Sequence, residues 1–312
     1  MVVIRLHDTP SFEHFLNQYD TEEKCTAAFF LARWPDGFCC PRCSHRQYYL
    51  IRSRKHPLYE CRDCHAQTSL TAGTILEGSR TPLKLWFQAL YLHSLPQGVS
   101  ATKLASIIGT TYKTAWLICH KIRHAMSNAE SKDYLSGLVR VNWGVYGRPY
   151  NPTVYRHPQE QPLLAGGSID INERIIRLKI KKIADNHLIH DRITTAASHA
   201  FIAQYVDPTT TDLTIVTQKF SRNRYNALII LCNRASNWIN HTFNGIGPKH
   251  LQSYLDQYCF IFNLLQKSEN IFSFLVQHCT ATPTIKYPDL INRENYSKHH
   301  KLNYINQLKD VS

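Results

Sequence analysis

A scarcity of acidic residues and the absence of two kinds of segment narrow the class of protein to which this sequence belongs. Its 312 residues contain 23 Asp and Glu against 36 Lys and Arg, a formal net charge of +13. This balance favours a polyanionic partner such as nucleic acid, although many unrelated proteins are equally basic. No uninterrupted run of about 18 apolar residues occurs, so we expect no membrane span. No secretory signal is recognisable, so the 10 cysteines are not expected to form disulfides.

Four of the cysteines form two Cys-x-x-Cys pairs, Cys40 with Cys43 and Cys61 with Cys64. Thiolates at this spacing can enclose one tetrahedral zinc ion, and four of them leave no open coordination position. The sequence therefore predicts a structural zinc site in a zinc ribbon.

The segment between the pairs predicts the two short strands of the ribbon, at residues 48–51 and 58–59, joined by a basic turn at residues 53–56. The alternative is that the four cysteines are free or disulfide-bonded. Cys39 could also compete with Cys40 as a ligand. The remaining cysteines lie singly in apolar segments and are expected to be buried thiols: Cys25, Cys119, Cys232, Cys259 and Cys279.

Helical periodicity and capping signals lie on both sides of the ribbon. Residues 11–34 carry apolar side chains at helical spacing, which predicts two short helices packed on the ribbon. Thr81 followed by Pro82 predicts a third helix, with the threonine as N-cap and the proline at the first helical position. The sequence Pro-Gln-Gly at residues 96–98 predicts its end.

Residues 100–126 predict a helix-turn-helix. Ser100 can cap its first helix, Gly109 supplies the turn, and Thr110 or Thr111 starts the second helix. In that geometry the start of the second helix enters the major groove of DNA, and later basic residues lie along the phosphate backbone. The predicted DNA-binding residues are Thr111, Tyr112, Lys113, Thr114, Lys121, Arg123 and His124. The alternative is an ordinary helical hairpin with a solvated basic face.

An apolar segment at residues 162–169 and an alternating one at residues 174–182 predict a β-hairpin with its turn at residues 170–173. One face of the second strand is basic and is expected either to contact phosphates or to be a solvated cationic face. The basic residues are Arg174, Arg177, Lys179, Lys181 and Lys182. Residues 147–161 predict a loop, and the polar tail from Pro283 is expected to be poorly ordered.

Several phrases of the sequence, in their order, carry a resemblance to a known family. They are Arg33-Trp-Pro-Asp-Gly-Phe through Cys43, Tyr59-Glu-Cys-Arg-Asp-Cys-His-Ala-Gln-Thr-Ser, Thr71-Ala-Gly-Thr-Ile, Pro82-Leu-Lys-Leu-Trp-Phe, Tyr112-Lys-Thr-Ala-Trp to Met126, and Gly247-Pro-Lys-His-Leu-Gln-Ser-Tyr-Leu-Asp-Gln-Tyr-Cys-Phe-Ile-Phe-Asn. The chain resembles bacterial insertion-sequence transposases of the DDE type with an N-terminal zinc ribbon. That resemblance implies a ribonuclease-H-like domain that cuts and joins DNA. In such a domain acidic residues hold two magnesium ions at the site of the reaction.

The sequence departs from this family at the catalytic positions. Asn142 and Gln218 stand where the first two acids are expected. Arg234 stands at the third polar ligand, and Ser236 at a lysine. Amides remove two of the charges that hold divalent cations, and a guanidinium keeps its positive charge and repels them. We therefore expect structural Zn²⁺ as a cofactor and expect the Mg²⁺ of the family not to bind.

Other ionisable residues near these positions have simpler interpretations. Four acids are interpreted as turn and cap residues: Asp170, Glu173, Asp207 and Asp212. Three histidines show no spacing typical of a metal site and are expected on the surface or in the core: His187, His190 and His199.

The predicted fold class is α+β, and the hydrophobic fraction of 43% is enough for a buried core. The predicted units are a helical lid with the zinc ribbon at 1–78, a helix-turn-helix at 79–130, a degenerate ribonuclease-H-like α/β domain with a central mixed sheet at 131–282, and the polar tail at 283–312.

Together these expectations describe a DNA-binding protein of transposase descent that has lost strand cleavage and joining. Its expected partner is double-stranded DNA, at insertion-sequence ends if it is functional, with a homo-oligomer as a further option. Its expected location is the bacterial cytoplasm, at the nucleoid. One alternative is a zinc-ribbon and helix-turn-helix regulator or repurposed transposase, which terminal inverted repeats beside the gene would distinguish from a decayed element. Another is an active nuclease with a shifted acid site.

Overall fold

The computed structural model describes residues 11–52, 57–147, 157, 159–267 and 269–291. The helices in these ranges are α1 (Phe12–Gln18), α2 (Glu22–Arg33), α3 (Leu83–Ser94), α4 (Ala101–Ile108), α5 (Tyr112–Ser131), α6 (Thr195–Tyr205), α7 (Asn226–Phe243), α8 (Pro248–Gln266), α9 (Ile271–Ala281) and α10 (Tyr287–Ile291). The strands are β1 (Tyr48–Ile51), β2 (Leu58–Cys61), β3 (Gln67–Ser69), β4 (Leu138–Tyr146), β5 (Gln161–Ile169), β6 (Ile175–Lys182), β7 (Leu188–Ile189), β8 (Arg192–Ile193) and β9 (Asp212–Val216). The predicted turn at 53–56 and most of the predicted loop at 147–161 lie outside the described residues.

Two short helices precede the ribbon, so that prediction is confirmed. The Ser11 hydroxyl caps α1 by accepting a hydrogen bond from the His14 backbone N–H at 3.2 Å. The Thr21 hydroxyl caps α2 in the same way, through Lys24 at 3.2 Å. Helix α2 packs against α3 and α9.

The cap of α3 differs from the prediction. The helix begins at Leu83, and the Thr81 side chain does not cap it. Instead the Glu22 carboxylate on α2 accepts hydrogen bonds from the backbone N–H groups of Leu83 at 2.7 Å and Lys84 at 3.0 Å. An anion at a helix N-terminus satisfies free N–H groups and is stabilised by the helix dipole. Sequence analysis missed this cap because its donor and acceptor are far apart in the chain.

Both helices of the helix-turn-helix lie where they were predicted. Ser100 caps α4 through the Lys103 N–H at 3.3 Å, and Thr111 caps α5 through the Thr114 N–H at 3.2 Å. Between them Gly109 takes the left-handed conformation, with φ 65° and ψ 44°, which glycine adopts at little cost. Local sequence signals therefore determine this pair of helices.

The turn at residues 96–98 joins the helix-turn-helix to α7. Trp238 on α7 donates its indole N–H to the Pro96 carbonyl at 2.9 Å, and the Thr242 hydroxyl donates to Gln97 at 3.0 Å. Gly98 has φ 67°, and a Cβ at this position would lie 2.8 Å from the Trp238 ring. A larger residue would therefore push the turn away from α7.

One hydrophobic core spans the ribbon and the helix-turn-helix. Its buried side chains include Phe15 on α1, Tyr59 on the ribbon and Met126 on α5. Phe260 from α8 and Leu275 from α9 also belong to it. The core continues across residue 78, which was the predicted boundary between the first two units. Helix α9, which was predicted to belong to the unit at 131–282, also packs into this core.

The central sheet has four strands in the order β6-β5-β4-β9. Strands β4, β5 and β6 pair antiparallel, whereas β9 pairs parallel with β4. Helices α7 and α8 cover one face of the sheet, and α6 covers the other. With helices and this mixed sheet, the predicted α+β class is confirmed.

The basic face predicted for the second hairpin strand is wrong. A register shift at Ser168 and Ile169 pairs Ile169 with Ile175, which is buried, and leaves Ile176 exposed. Because helices cover both faces of the sheet, most of the cations of β6 bind protein groups.

The cations of β6 each have identified partners. Arg177 pairs with Asp133 at 2.6 Å, Lys181 donates to Gln204 at 2.5 Å, and Lys182 donates to the Pro248 carbonyl at 2.9 Å. Burial lowers the pKa of Lys181 to about 8. Arg174, just before the strand, is exposed.

A buried ion pair joins α5 to the sheet. Lys179 on β6 contacts the Glu130 carboxylate on α5, and both side chains are almost fully buried. Asn263 on α8 donates to the same carboxylate at 3.1 Å and also bonds both backbone groups of Leu178. Burial raises the pKa of Glu130, and the Lys179 ammonium opposes that shift.

The segment after α9 is structured as far as residue 291. Lys121 on α5 donates to Thr284 at 3.2 Å, and Leu290 on α10 is buried. The poorly ordered tail predicted from Pro283 is therefore wrong for residues 283–291, and its remainder at 292–312 lies outside the described residues. Within the described ranges, no helix is long and apolar enough to span a membrane.

Replacement of Glu22 by alanine is expected to lower the free energy of unfolding by about 1–2 kcal/mol, because two N–H groups at the start of α3 lose their acceptor. The measurement is equilibrium denaturation in urea. Glu23→Ala, which removes an exposed acid from the same turn of α2, is the matched control and should change stability by less than about 0.5 kcal/mol. Equal effects of the two variants would contradict the capping role.

Candidate metal centre and nucleic-acid interface

The four predicted zinc ligands converge. The Sγ atoms of Cys40, Cys43, Cys61 and Cys64 all lie within 4.8 Å of one another. Cys40 and Cys64 are 3.6 Å apart at sulfur, and Cys43 and Cys61 are 3.5 Å apart. Sulfurs bound at about 2.3 Å to a tetrahedral zinc lie about 3.8 Å from each other, whereas a disulfide needs about 2.05 Å. The donor set therefore fits one structural zinc ion.

The two knuckles have the same backbone geometry. Ser44 and His65, each directly after the second cysteine of its pair, have φ of 62° and 55°. Their backbone N–H groups donate to the carbonyls of Cys40 at 2.9 Å and Cys61 at 3.1 Å. Each turn thus directs its two sulfurs to the same point, which explains why the spacing in sequence predicts the site.

Neighbouring groups shift the pKa values of Cys40 and Cys43 in opposite directions. Burial raises the pKa of Cys40, but backbone N–H groups of Arg42 and Cys43 donate to its sulfur and lower that pKa to about 7. At Cys43 the backbone of His45 lowers the pKa, and hydrogen bonds with neighbouring sulfurs outweigh it and raise it to about 12. Thiolates packed so closely repel one another, and a divalent cation removes that repulsion.

A cluster of buried aromatic side chains packs against the ribbon. The Trp34 ring lies 5.0 Å from Phe38 and 5.3 Å from Tyr59, measured between centroids, in edge-to-face geometry. All three side chains are buried. They link the end of α2 to the strand that carries Cys61.

Arg33 is a structural residue that sequence analysis did not identify. Its guanidinium donates to the carbonyls of Ser69 at 2.9 Å and of Leu70 and Ala72 at 2.5 Å, where the chain leaves the ribbon. It also lies 4.4 Å from the centroid of the Trp34 ring. The only signal in the sequence is its place beside Trp34 in one of the phrases that carry the predicted resemblance.

Cys39 does not belong to the metal cluster. Its sulfur donates weakly to the Ser44 carbonyl at 3.8 Å and is not one of the four converging sulfurs. The isolated cysteines are all buried, as predicted: Cys25, Cys119, Cys232, Cys259 and Cys279.

The start of α5 is open to solvent. Thr111, Tyr112 and Lys113 are exposed, and the Tyr112 side chain has 58% of its surface accessible. Thr114 is half-buried, and its hydroxyl lies 3.0 Å from that of Thr111. Three of the four residues predicted to contact DNA at this point are therefore accessible.

Two of the later predicted DNA-binding residues are buried and need correction. Arg123 is only 1% exposed; it donates to the Gln257 side chain at 2.8 Å and lies 4.0 Å from the centroid of the Tyr254 ring. Lys121 donates to the Glu77 carbonyl at 3.3 Å, and desolvation lowers its pKa. Because α8 and the segment before α10 cover this part of α5, neither cation can lie along a DNA backbone. His124 is half-buried.

Asn142 lies inside the sheet, where it binds the start of α7. It is only 1% exposed, and in the parallel β4–β9 pair it lies opposite Val216. Its amide oxygen accepts from the Tyr225 backbone N–H at 3.2 Å, and its amide nitrogen donates to the Tyr225 carbonyl at 3.5 Å. The amide therefore serves as both acceptor and donor in an intramolecular contact.

The other three positions implied by the resemblance are Gln218, Arg234 and Ser236, and they differ in exposure. Gln218 is exposed just beyond β9, which is the strand next to Asn142. On α7, Arg234 is exposed, whereas the buried Ser236 donates to the Val145 carbonyl at 3.3 Å. Strands β4 and β9 thus bring the first two positions to one region, and α7 packs across β4.

Asp170 and Asp207 act as turn residues, as the sequence indicated, whereas Asp212 forms an ion pair. Asp170 accepts from the N–H groups of Asn172 and Arg174 at 2.9 and 2.8 Å. Asp207 accepts from Thr209, which lowers its pKa. Asp212 pairs with Arg140 on β4 at 2.7 Å, at the start of β9. Among the described residues, the four cysteines are the one group of three or more Cys, His, Asp or Glu side chains that converge at a common point.

Comparison with known proteins agrees with this geometry. Residues 20–67 match the family described as "Transposase zinc-ribbon domain". The predicted resemblance to insertion-sequence transposases with an N-terminal zinc ribbon is therefore confirmed.

A relative in Halobacterium salinarum extends the similarity beyond the ribbon. It is named "Uncharacterized protein in transposable element ISH50", and it is 25% identical over 130 residues. The alignment covers 41% of this chain and 42% of the relative, less than half of either. No solved structure matches the chain.

One equivalent of zinc per chain is expected, measured by elemental analysis of the purified protein. Cys61→Ser should lose the metal and unfold the ribbon, because binding and folding of so small a unit share one free energy. Cys39→Ser is the matched control and should retain zinc and stability. Zinc retained by Cys61→Ser, or lost from Cys39→Ser, would show that the ligands were wrongly assigned.

Proposed function

We propose that this chain is a transposase-family protein that binds double-stranded DNA through its helix-turn-helix and no longer cuts or joins it. The observation that carries the proposal is the exposed start of α5, where Thr111, Tyr112 and Lys113 are exposed while the rest of the helix is buried or half-buried. This is the arrangement in which a recognition helix reads the major groove. Lys103 on α4, the preceding helix, is also an exposed cation.

Buried cations narrow the proposed interface. Lys121 and Arg123 are excluded, so the phosphate contacts of α5 come from its first turn. The ribbon supplies further exposed cations, among them Arg42, Arg46 and Arg62. The Arg62 guanidinium lies 4.6 Å from the centroid of the exposed Tyr49 ring. Insertion-sequence ends are the DNA that the transposase zinc-ribbon family suggests.

The ribonuclease-H-like arrangement is part of the proposal. Its support is the mixed four-stranded sheet with helices on both faces. In the parallel pair of this sheet, β4 contains Asn142 and β9 ends two residues before Gln218. Asn142 is the last β4 residue paired with β9, opposite Val216, and Gln218 follows two residues later in the chain, which supports the proposal.

The donor set at this edge does not fit a pair of magnesium ions. Mg²⁺ prefers carboxylate oxygens, and here the amide of Asn142 is engaged by Tyr225 while Gln218 offers a neutral oxygen. The guanidinium of Arg234 repels cations. We therefore derive no magnesium-dependent step for this chain.

A regulator built from the same ribbon and helix-turn-helix would use the same DNA-binding surface. The ISH50 relative favours the transposase lineage, because its name places it in a transposable element. Inverted repeats beside the gene remain the observation that separates a decayed element from a repurposed protein.

Lys113→Ala is expected to weaken binding to duplex DNA and to reduce the slope of log K against log salt by about one unit, because one phosphate contact is lost. Fluorescence anisotropy over a range of salt concentrations measures both quantities. Lys24→Ala, on α2, removes a cation paired with Asp20 and should leave affinity and slope unchanged. If both variants behave like the unmodified chain, α5 does not face DNA.

The unmodified chain is expected to show no cleavage or strand joining on end-containing DNA with magnesium or manganese. The comparison is the triple variant Asn142→Asp, Gln218→Asp and Arg234→Glu, with zinc content as the control for folding. Any activity is expected only in the triple variant, because only it carries the acids that a metal pair requires. Products formed by the unmodified chain would refute the loss of catalysis.

A further inference from the structure

The loop between β9 and α7, residues 217–225, is basic and carries an exposed aromatic ring. Its sequence contains Lys219, Arg222 and Arg224 and no acid. Arg222 and Arg224 are exposed, and 53% of the Phe220 surface is accessible. A single exposed apolar residue is ordinary on a protein surface, but a phenylalanine between cations has the composition of a surface on which bases stack.

Hydrogen bonds hold this loop in a defined shape. Arg224 donates to the Lys219 carbonyl at 2.9 Å, and the Asn223 N–H donates to the Ser221 hydroxyl at 3.2 Å. The Tyr225 hydroxyl donates to the Glu173 carbonyl at 2.6 Å, which ties the loop end to the β5–β6 turn. A surface already ordered loses less conformational entropy when it binds.

The loop lies beside the degenerate catalytic positions. Gln218 belongs to it, and Asn142 bonds the Tyr225 backbone at its end. Carboxylates at these positions would repel a phosphate unless metal ions lay between them, whereas amides are neutral and do not. The Lys219 ammonium lies 5.6 Å from the Trp143 ring centroid and 3.9 Å from the Glu160 carboxylate, so this cation is partly neutralised. Arg222 and Arg224 remain as the exposed cations of the loop.

We propose that the β9–α7 loop binds single-stranded DNA directly, with a base stacked on Phe220 and phosphates at Arg222 and Arg224. The site is separate from the helix-turn-helix, and its occupant is an unpaired strand because a duplex keeps its bases inside the stack. In this arrangement the guanidinium groups of Arg222 and Arg224 would contact the DNA phosphates. The neighbouring Asn142 and Gln218 have no carboxylates with which to hold a metal ion.

The test is binding of a short oligo-dT strand to the full, zinc-loaded chain, measured by anisotropy. Phe220→Ala should weaken binding about 5- to 100-fold, and Phe220→Trp should retain it, because stacking needs an aromatic face. Ile176→Ala is the matched control, since it removes an exposed apolar side chain from β6 at the opposite edge of the sheet. Arg222→Ala should reduce the salt slope by about 0.7.

Duplex binding, measured on the same variants, separates this proposal from the preceding one. Phe220→Ala should leave duplex affinity unchanged, and Lys113→Ala should leave oligo-dT affinity unchanged. Loss of oligo-dT binding in Lys113→Ala with none in Phe220→Ala would overturn the loop site and place the strand on the helix-turn-helix. Equal effects of Phe220→Ala and Ile176→Ala would also overturn it. Zinc content and the unfolding midpoint show that each variant is folded.

Discussion

The buried contact between Lys179 and Glu130 determines how the two halves of this protein are joined. It connects β6 to the end of α5, and Asn263 on α8 donates to the same carboxylate. Removing one partner of such a pair costs about 3–5 kcal/mol, because the other charge is left buried and unpaired. The sheet and the helix-turn-helix are therefore held in one orientation, because separating Lys179 from Glu130 would leave a buried charge without a partner.

Helix α5 consequently has two different ends. Its first turn is exposed and suited to contact with DNA, whereas Arg123 and Glu130 further along are enclosed by α8 and the sheet. A DNA molecule bound at the first turn would thus have a defined position relative to the β9–α7 loop. The zinc ribbon shares a core with this helix, so loss of the metal would disturb the same surface.

Asn142 and Ser236, at two positions where the resemblance implied catalytic residues, make structural contacts. Asn142 both accepts from and donates to the Tyr225 backbone, a pair of contacts that an ionised aspartate could make only in part. Ser236 likewise bonds a strand carbonyl. These contacts of Asn142 and Ser236 join β4 to α7.

The sequence alone determined those features that depend on neighbouring residues: the two cysteine knuckles, the caps at Ser100 and Thr111, the turn at Gly109, and the β5–β6 turn, in which Asp170 accepts backbone hydrogen bonds. Their donors and acceptors lie within a few residues of each other, so spacing is sufficient evidence. Only the tertiary structure decided which cations are free. Lys121, Arg123 and Lys179 look like surface charges in the chain, yet helices distant in sequence cover them and supply their partners. The Glu22 cap of α3 and the uninterrupted core across residue 78 could not be predicted for the same reason, because both depend on contacts between segments that meet only in the folded protein.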